Sequence, residues 1–182
     1  MILLIVFLIG LFATLGLSIL AAISDVRSLT IPNGYSLYVI VSFFICYLAL
    51  YFGGVETVFE SFYSHLLSAG LTFAVTFVLF SLKVLGAGDS KFGSACALWI
   101  GAQYLPIFLF FMTLCGGLLG VVALYLKYKK PFDSPLEGSW ISHVQSGTDK
   151  VPYGVAICFG LFVVFLYAGY FSSDVLSVFI TA

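Results

Sequence analysis

Long apolar runs separated by short polar stretches make up most of this chain. The first run, residues 2–24, is unbroken. As a helix rising 1.5 Å per residue it reaches about 34 Å, enough to cross a hydrocarbon core of about 30 Å. A cleaved signal peptide is the competing reading, but no positive region precedes the run and it is long for a signal-peptide core, so a membrane helix is expected. Pro32 stops any continuation and Asn33-Gly34 reads as a turn into a second, aromatic-rich run over 35–53, which ends at Gly53-Gly54. Glu56 and Glu60 mark a short polar loop, and a third helix is expected over Ser64–Ser81. Phe92 to about Gln103 gives a fourth that rises only about 18 Å, so it either begins below the membrane surface or runs on through residues 85–91. Pro106 breaks the pattern. Residues 107–126 supply a fifth helix, whose Gly116-Gly117 and Gly120 suit close small-residue packing. A sixth runs from Pro152 to about Phe171, with proline at its first position. The last eleven residues, Ser172–Ala182, are too short to span and are expected at the interface.

Composition turns these runs into membrane spans. The chain is 62% hydrophobic and 8% charged, against about 45–50% and about 25% in soluble domains. The expected fold is therefore all-α: a polytopic membrane bundle of about six transmembrane helices, forming one membrane-embedded domain over residues 1–182. The lipid bilayer is its solvent. A net charge of −1 argues against nucleic acid as a partner, because neutralising phosphates takes clustered Lys and Arg. The one polar segment of any size is a loop at about 127–151, and its proline and glycine content gives no strong helix signal. Cys46, Cys96, Cys115 and Cys158 stand singly in apolar segments without C-x-x-C spacing, which reads as small buried hydrophobes and not as disulfides or zinc ligands. His65 has no second ligand at i+3 or i+4, so it reads as an interfacial polar residue, and no metal or cofactor is expected.

Charge also orients the bundle. The seven basic residues, Arg27, Lys83, Lys91, Lys127, Lys129, Lys130 and Lys150, all fall in or beside the loops after the first, third and fifth helices. The positive-inside rule puts those loops in the cytoplasm and both termini outside. Asp25 and Asp89 then share the cytoplasmic side, although they lie far apart in the chain.

Ionisable side chains are expensive at a membrane's edge and mark functional sites when a partner exists. Asp89 sits in Gly86-Ala87-Gly88-Asp89-Ser90-Lys91, and Asp25 precedes Ile31-Pro32-Asn33 by one helical turn and a half. Two carboxylates in a partly desolvated site cannot both ionise cheaply, so one keeps a proton while the other is charged. The charged one can take a proton from water, and the protonated one can polarise a carbonyl or protonate a leaving amine. That is peptide hydrolysis without a metal. Gly86 and Gly88 suit close approach of a substrate strand and dihedrals closed to other residues. Lys91 either pairs with a carboxylate or snorkels to lipid headgroups, and the second is the ordinary behaviour of an interfacial lysine. The glycine-rich stretch lacks P-loop spacing.

Three separated pieces of the chain together resemble the type IV prepilin peptidase family of membrane aspartic proteases: the Asp25 segment with Pro32-Asn33, the Gly86-x-Gly88-Asp89-x-Lys91 string, and Val151-Pro152-Tyr153-Gly154 opening the last long helix. The resemblance implies that Asp25 and Asp89 are the catalytic pair and that Pro152, Tyr153 and Gly154 help to shape the site. It also implies a prepilin or pseudopilin precursor as substrate, cleaved at the cytoplasmic face of a prokaryotic inner membrane. Longer members carry an N-terminal extension with paired C-x-x-C motifs. Its absence from this sequence is similar to the short, peptidase-only branch serving Flp (Tad) pili, and N-methyltransferase activity is not expected.

Three other readings compete. An ion- or proton-coupled transporter would place relay carboxylates near the bilayer midplane, where the apolar runs carry none. A presenilin-like intramembrane protease would set its aspartates deeper and carry Pro-Ala-Leu where this chain has Pro152-Tyr153-Gly154. A membrane scaffold would tolerate loss of both acids. The particular precursor and the oligomeric state are not legible in the residues.

Overall fold

The structure, a computed structural model, describes residues 1–181, so Ala182 at the end of the expected interfacial tail lies outside the described residues. It is built of helices α1 (Ile2–Ser28), α2 (Asn33–Phe52), α3 (Phe62–Ser81), α4 (Ala87–Ala97), α5 (Leu105–Lys129), α6 (Trp140–Gln145), α7 (Tyr153–Tyr167) and α8 (Ser173–Thr181). A short 3-10 turn at Glu56–Val58 precedes α3. No strand occurs among the described residues. Helices α1, α2, α3 and α5 are long and apolar enough to cross a membrane, and α7 is apolar but shorter.

Packing differs from that of a soluble bundle in its apolar outer faces and in the polar inner face of α3. The outer faces carry Phe12, Ile19, Leu118 and Val121, whereas the buried face of α3 consists of His65, Ser68, Thr72 and Thr76. Against lipid the apolar side chains need no shelter, and the small polar ones gain partners by turning inward. Thr72 and Thr76 give their hydroxyls to carbonyls four residues back, and Thr76 Oγ1 also meets Ser90 Oγ of α4 at 2.8 Å. Helix α4 is held between α2, α3 and α7, while α1 packs on α2 and α7, and α5 on α7. Its residues are mostly small, which lets three neighbours close on a helix of 11 residues. Beyond its end the indole of Trp99 is fully buried among Phe43, Phe59 and Phe165 and donates Nε1–H to the Val39 carbonyl at 3.2 Å.

Several local expectations change. Asn33-Gly34 is not a turn: Leu29, at φ 51°, closes α1 in the left-handed region, Pro32 stands at the N-cap, and Asn33-Gly34 form the first residues of α2. Proline without an N–H suits that position and spares the helix an orphan donor. The same logic places Pro106 inside the first turn of α5, where it starts the helix and does not break it. The fourth helix begins at Ala87, the second of its two expected readings, and takes Asp89 into its first turn, but it ends at Ala97, short of Gln103. Of the α5 glycines only Gly116 is a close-packing position: a Cβ there would lie 2.9 Å from the Tyr153 ring, while Gly117 and Gly120 face open space.

His65 is not an interfacial residue. It is fully buried, with Nδ1–H donated to the Leu98 carbonyl at 3.0 Å and its ring packed against Phe43, Tyr47 and Phe59. Helix α8 docks on the same end through Phe179, which stacks on Phe7 with centroids 5.2 Å apart. The polar 127–151 segment contains α6. Its Trp140 and Val144 join Ala123 and Leu126 of α5 in a small second core, and Trp140 Nε1–H is donated to the Lys150 carbonyl at 2.9 Å. All four cysteines are free, and Cys46 and Cys96 are buried.

Candidate active site

Asp25 lies in the last turns of α1, where the helix runs on to Ser28, and faces inward at 3% exposure. Its Oδ2 accepts the Gly154 N–H at 2.7 Å. That amide belongs to the first turn of α7, whose donors have no partner within the helix and whose dipole favours an anion. The approach leaves no room for a side chain. A Cβ on Gly154 would lie 3.0 Å from the Asp25 Cβ and 3.2 Å from Ile31 Cδ1.

Asp89 is anchored in the same manner by its own helix. It is the third residue of α4, and its Oδ2 accepts the N–H of Gly86, the N-cap residue, at 3.0 Å. Gly86 is extended at φ −79° and Gly88 is not among the positive-φ residues, so neither glycine is there for unusual dihedrals. Space decides instead. A Cβ on Gly86 would meet Asp89 Oδ2 at 2.8 Å, and one on Gly88 would press the Ile31 carbonyl at 3.3 Å. Ile31 thus wedges between the two motifs, with its side chain against Gly154 and its backbone against Gly88.

The two carboxylates line one cavity of about 400 Å³, close enough for the charge on Asp25 to act on Asp89. Its walls are Leu29, Phe80, Val84, Leu85, Val151 and Tyr153, and its rim carries Lys83, Asp149 and Lys150. Apolar walls around paired acids weaken the screening between them and raise the cost of ionising both. Among the described residues no group of three or more His, Cys, Asp or Glu could hold a metal ion.

Not every residue singled out in the sequence meets the cavity. Asp25, Gly86, Asp89 and Tyr153 line it, and Gly154 reaches it through Asp25. Lys91 does not: its Nζ donates to Asn33 Oδ1 at 3.3 Å, tying α4 to the start of α2. Pro32 and Pro152 act as N-cap residues that set where α2 and α7 begin. Ile31, Lys83 and Lys150 were missed as site residues. The two lysines had a signal in the sequence, since both are among the few basic residues and both fall in loops that the basic-residue pattern groups with Asp25 and Asp89.

Neither a comparison with curated proteins nor one with solved structures gave a match. Residues 12–121 match the type IV leader peptidase family. The matched stretch contains Asp25, Ile31-Pro32-Asn33 and the whole Gly86–Lys91 string, and stops before Pro152-Tyr153-Gly154. With more than half of its length matched, this chain belongs to the type IV leader peptidase family, whose members are membrane proteases of the aspartic type.

Proposed function

We propose that Asp25 and Asp89 are the catalytic pair of an endopeptidase that removes the leader of a prepilin or pseudopilin precursor. The observation carrying this is the shared cavity in which each aspartate has one oxygen fixed by a glycine amide. Fixing Oδ2 on each side leaves the other oxygen of each carboxylate for chemistry. The ionised aspartate takes a proton from a water as that water's oxygen bonds to the scissile carbonyl carbon. The protonated partner gives its proton to the carbonyl oxygen. Collapse of the tetrahedral intermediate breaks the C–N bond, and the amine leaves with a proton returned from the pair. Two backbone donors hold the carboxylates before the substrate arrives, so little reorganisation remains for the reaction itself.

The same proposal carries the topology: about six spans, with α4 and α7 as the short ones, both termini outside and the cavity mouth in the cytoplasm of a prokaryotic inner membrane. The distribution of Arg27, Lys83, Lys91, Lys127, Lys129, Lys130 and Lys150 supports it. The whole chain acts as one peptidase domain with the 127–151 segment as its cytoplasmic loop.

The test is cleavage of a co-expressed prepilin by wild type, Asp25→Asn and Asp89→Asn, with membrane levels of each variant measured alongside. Both variants should leave the leader uncut at normal membrane abundance. Near wild-type processing by either would remove the pair from the mechanism. Substrate uptake by proteoliposomes, lost in the same variants, would favour a transporter instead.

A further inference from the structure

Helices α2 and α3 meet at one end of the molecule and part at the other. Near His65 the ring of Phe62 touches those of Phe44 and Tyr47, with centroids 6.1 and 5.3 Å apart. Towards the end that holds the aspartates the two helices pack on α4 and not on one another. The gap between them is a groove of about 490 Å³, walled by Ile40 and Phe44 of α2 and by Leu66, Ala69 and Phe73 of α3, with Leu98 beyond α4 in its floor. It shares no lining residue with the aspartate cavity, although α4 contributes to both.

One end of this groove is polar. Lys91 and Ser94 are neighbours on α4, as Asn33 and Ser36 are on α2, and the bond from Lys91 Nζ to Asn33 Oδ1 at 3.3 Å gathers the four at the groove's mouth. Lys91 is exposed and spends one of its three N–H donors on a neutral amide, and no carboxylate pairs with it among the described residues. Ser36 lines the groove at 8% exposure, and its hydroxyl makes no hydrogen bond among the described residues. A helical hydroxyl in apolar surroundings usually returns to a carbonyl one turn back, as those of Thr72 and Thr113 do. A buried hydroxyl without an acceptor is destabilising unless a molecule in the groove supplies one. Apolar walls alone call for no particular occupant in a bilayer, because lipid covers every outer face. Here an unneutralised ammonium and an unpartnered serine stand at the head of an apolar channel.

We propose that this groove is a phospholipid site, with the phosphate held by Lys91 and Ser36 and one acyl chain lying between α2 and α3 against α4. Its length fits one leaflet. From Lys91 to Leu98 the chain rises about 10 Å, within a leaflet of about 15 Å, and the Phe62 contacts with Phe44 and Tyr47 close the groove beyond. Its width excludes a peptide helix: about 490 Å³ spread over about 10 Å leaves a section of about 50 Å², roughly half that of a helix about 10–12 Å across. Lys91 has no counter-ion of its own, so an anionic headgroup is favoured over a zwitterionic one. The seated chain completes the packing around α4, the helix whose first turn carries Asp89.

The test uses the full chain, purified in detergent, stripped of lipid and titrated with phosphatidylglycerol or phosphatidylcholine in mixed micelles. Bound lipid is counted by mass spectrometry of the intact complex, and the unfolding temperature is read in parallel. Wild type should hold one phosphatidylglycerol per chain about fivefold more tightly than phosphatidylcholine, the effect of one lysine near a membrane surface, and should unfold at a higher temperature with it bound. Lys91→Gln should erase the preference and Lys91→Arg should keep it. Lys129→Gln, which removes an exposed cation outside the groove, should leave it unchanged. Ala69→Phe fills the groove and should weaken both lipids at least tenfold. Because Ala69 is half-buried, Leu37→Trp at the exposed lip provides the same block without touching the core. Unchanged binding in both groove variants, or an equal loss in Lys129→Gln, would mean a general lipid coat and would overturn the site. Equal protection by inorganic phosphate would reduce it to a free-anion site and overturn the lipid assignment. A dimer split by either groove variant would make the groove a contact between copies, with the same consequence. No readout involves cleavage, so the site stands or falls apart from the peptidase reading.

Discussion

Helix α3 joins two ends of the molecule that bury ionisable side chains in opposite ways. His65 and the cavity residue Lys83 are separated by about 27 Å along it. At one end His65 is enclosed by rings: centroids of Phe43, Phe59 and Tyr47 lie 5.1, 5.4 and 5.9 Å from its own. Its Nδ1–H goes to the Leu98 carbonyl while its Nε2 is buried without a hydrogen-bond partner among the described residues, and nearby Glu60 accepts the Ser64 hydroxyl. At the other end Asp25 and Asp89 are nearly as buried, yet they border a cavity with a charged rim. Burial of an ionisable group therefore does not mark a site by itself. What distinguishes the two ends is whether the anchoring hydrogen bonds leave part of the group facing space that a substrate can enter.

The sharpest way to break that comparison is to remove the ionisable group at each end. Asp25→Asn and Asp89→Asn keep the amide contacts possible and should lower leader cleavage by at least about 10³-fold, the scale seen when a member of a catalytic unit is removed. Leader processing followed by gel mobility reads this directly. At the closed end His65→Ala should leave the turnover of folded protein unchanged. It opens a cavity among Phe43, Tyr47 and Phe59 and strips the Leu98 carbonyl of its donor, so stability should fall by about 2–4 kcal/mol. Unfolding in detergent micelles, with activity per folded molecule measured in parallel, checks both halves. Lost turnover at full stability would mean that the closed end takes part in function.

A subtler probe leaves both carboxylates in place and moves one of them. Gly154→Ala puts a methyl group 3.0 Å from the Asp25 Cβ and 3.1 Å from its Oδ2. The neighbours must give by a few tenths of an ångström. Alanine is favoured over glycine within a helix by up to about 1 kcal/mol, which offsets part of the crowding, so stability should fall by no more than about 2 kcal/mol. Activity should nonetheless drop about tenfold, because a small misplacement of a catalytic group is felt strongly in rate. Cleavage rate set against thermal unfolding of the same preparation separates the two effects, and unchanged cleavage would show that the Gly154 contact does not position Asp25.

How much of this was legible depends on whether the signal was local. The spanning runs are written in continuous apolar sequence, and Asp25 and Asp89 stood out because charge is scarce around them. Basic-residue asymmetry grouped the two acids before any geometry was known. Partners from distant segments were not legible. Nothing near Gly154 says that its amide meets Asp25, and nothing near Lys91 says that it binds Asn33 and not a carboxylate. His65 was misread for the same reason: in the first turn of a predicted helix a histidine looks interfacial, and only α2, the segment before α3 and the chain beyond α4 together wall it in. The 127–151 segment hid α6 because six residues carry too little periodicity to register, and its helix is held by Trp140 docking on α5.

The smallest expected effect tests whether the open end is merely open or is held so by the loop above it. Lys127 and Asp149 join α5 to the residues immediately before Lys150 and Val151, both of which line the cavity. Their side chains are 31% and 77% exposed, and an ion pair so exposed contributes less than about 1 kcal/mol and weakens with salt. The second core of Ala123, Leu126, Trp140 and Val144 and the Trp140 bond to the Lys150 carbonyl anchor the same loop independently. Lys127→Ala should then slow cleavage by no more than about threefold, and wild type in high salt should show a similar drop. A loss beyond about tenfold would mean that the ion pair, and not the tryptophan, sets the cavity's rim. The open end would then be a controlled entrance, and the contrast with the ring-filled end would be one of gating as well as of shape.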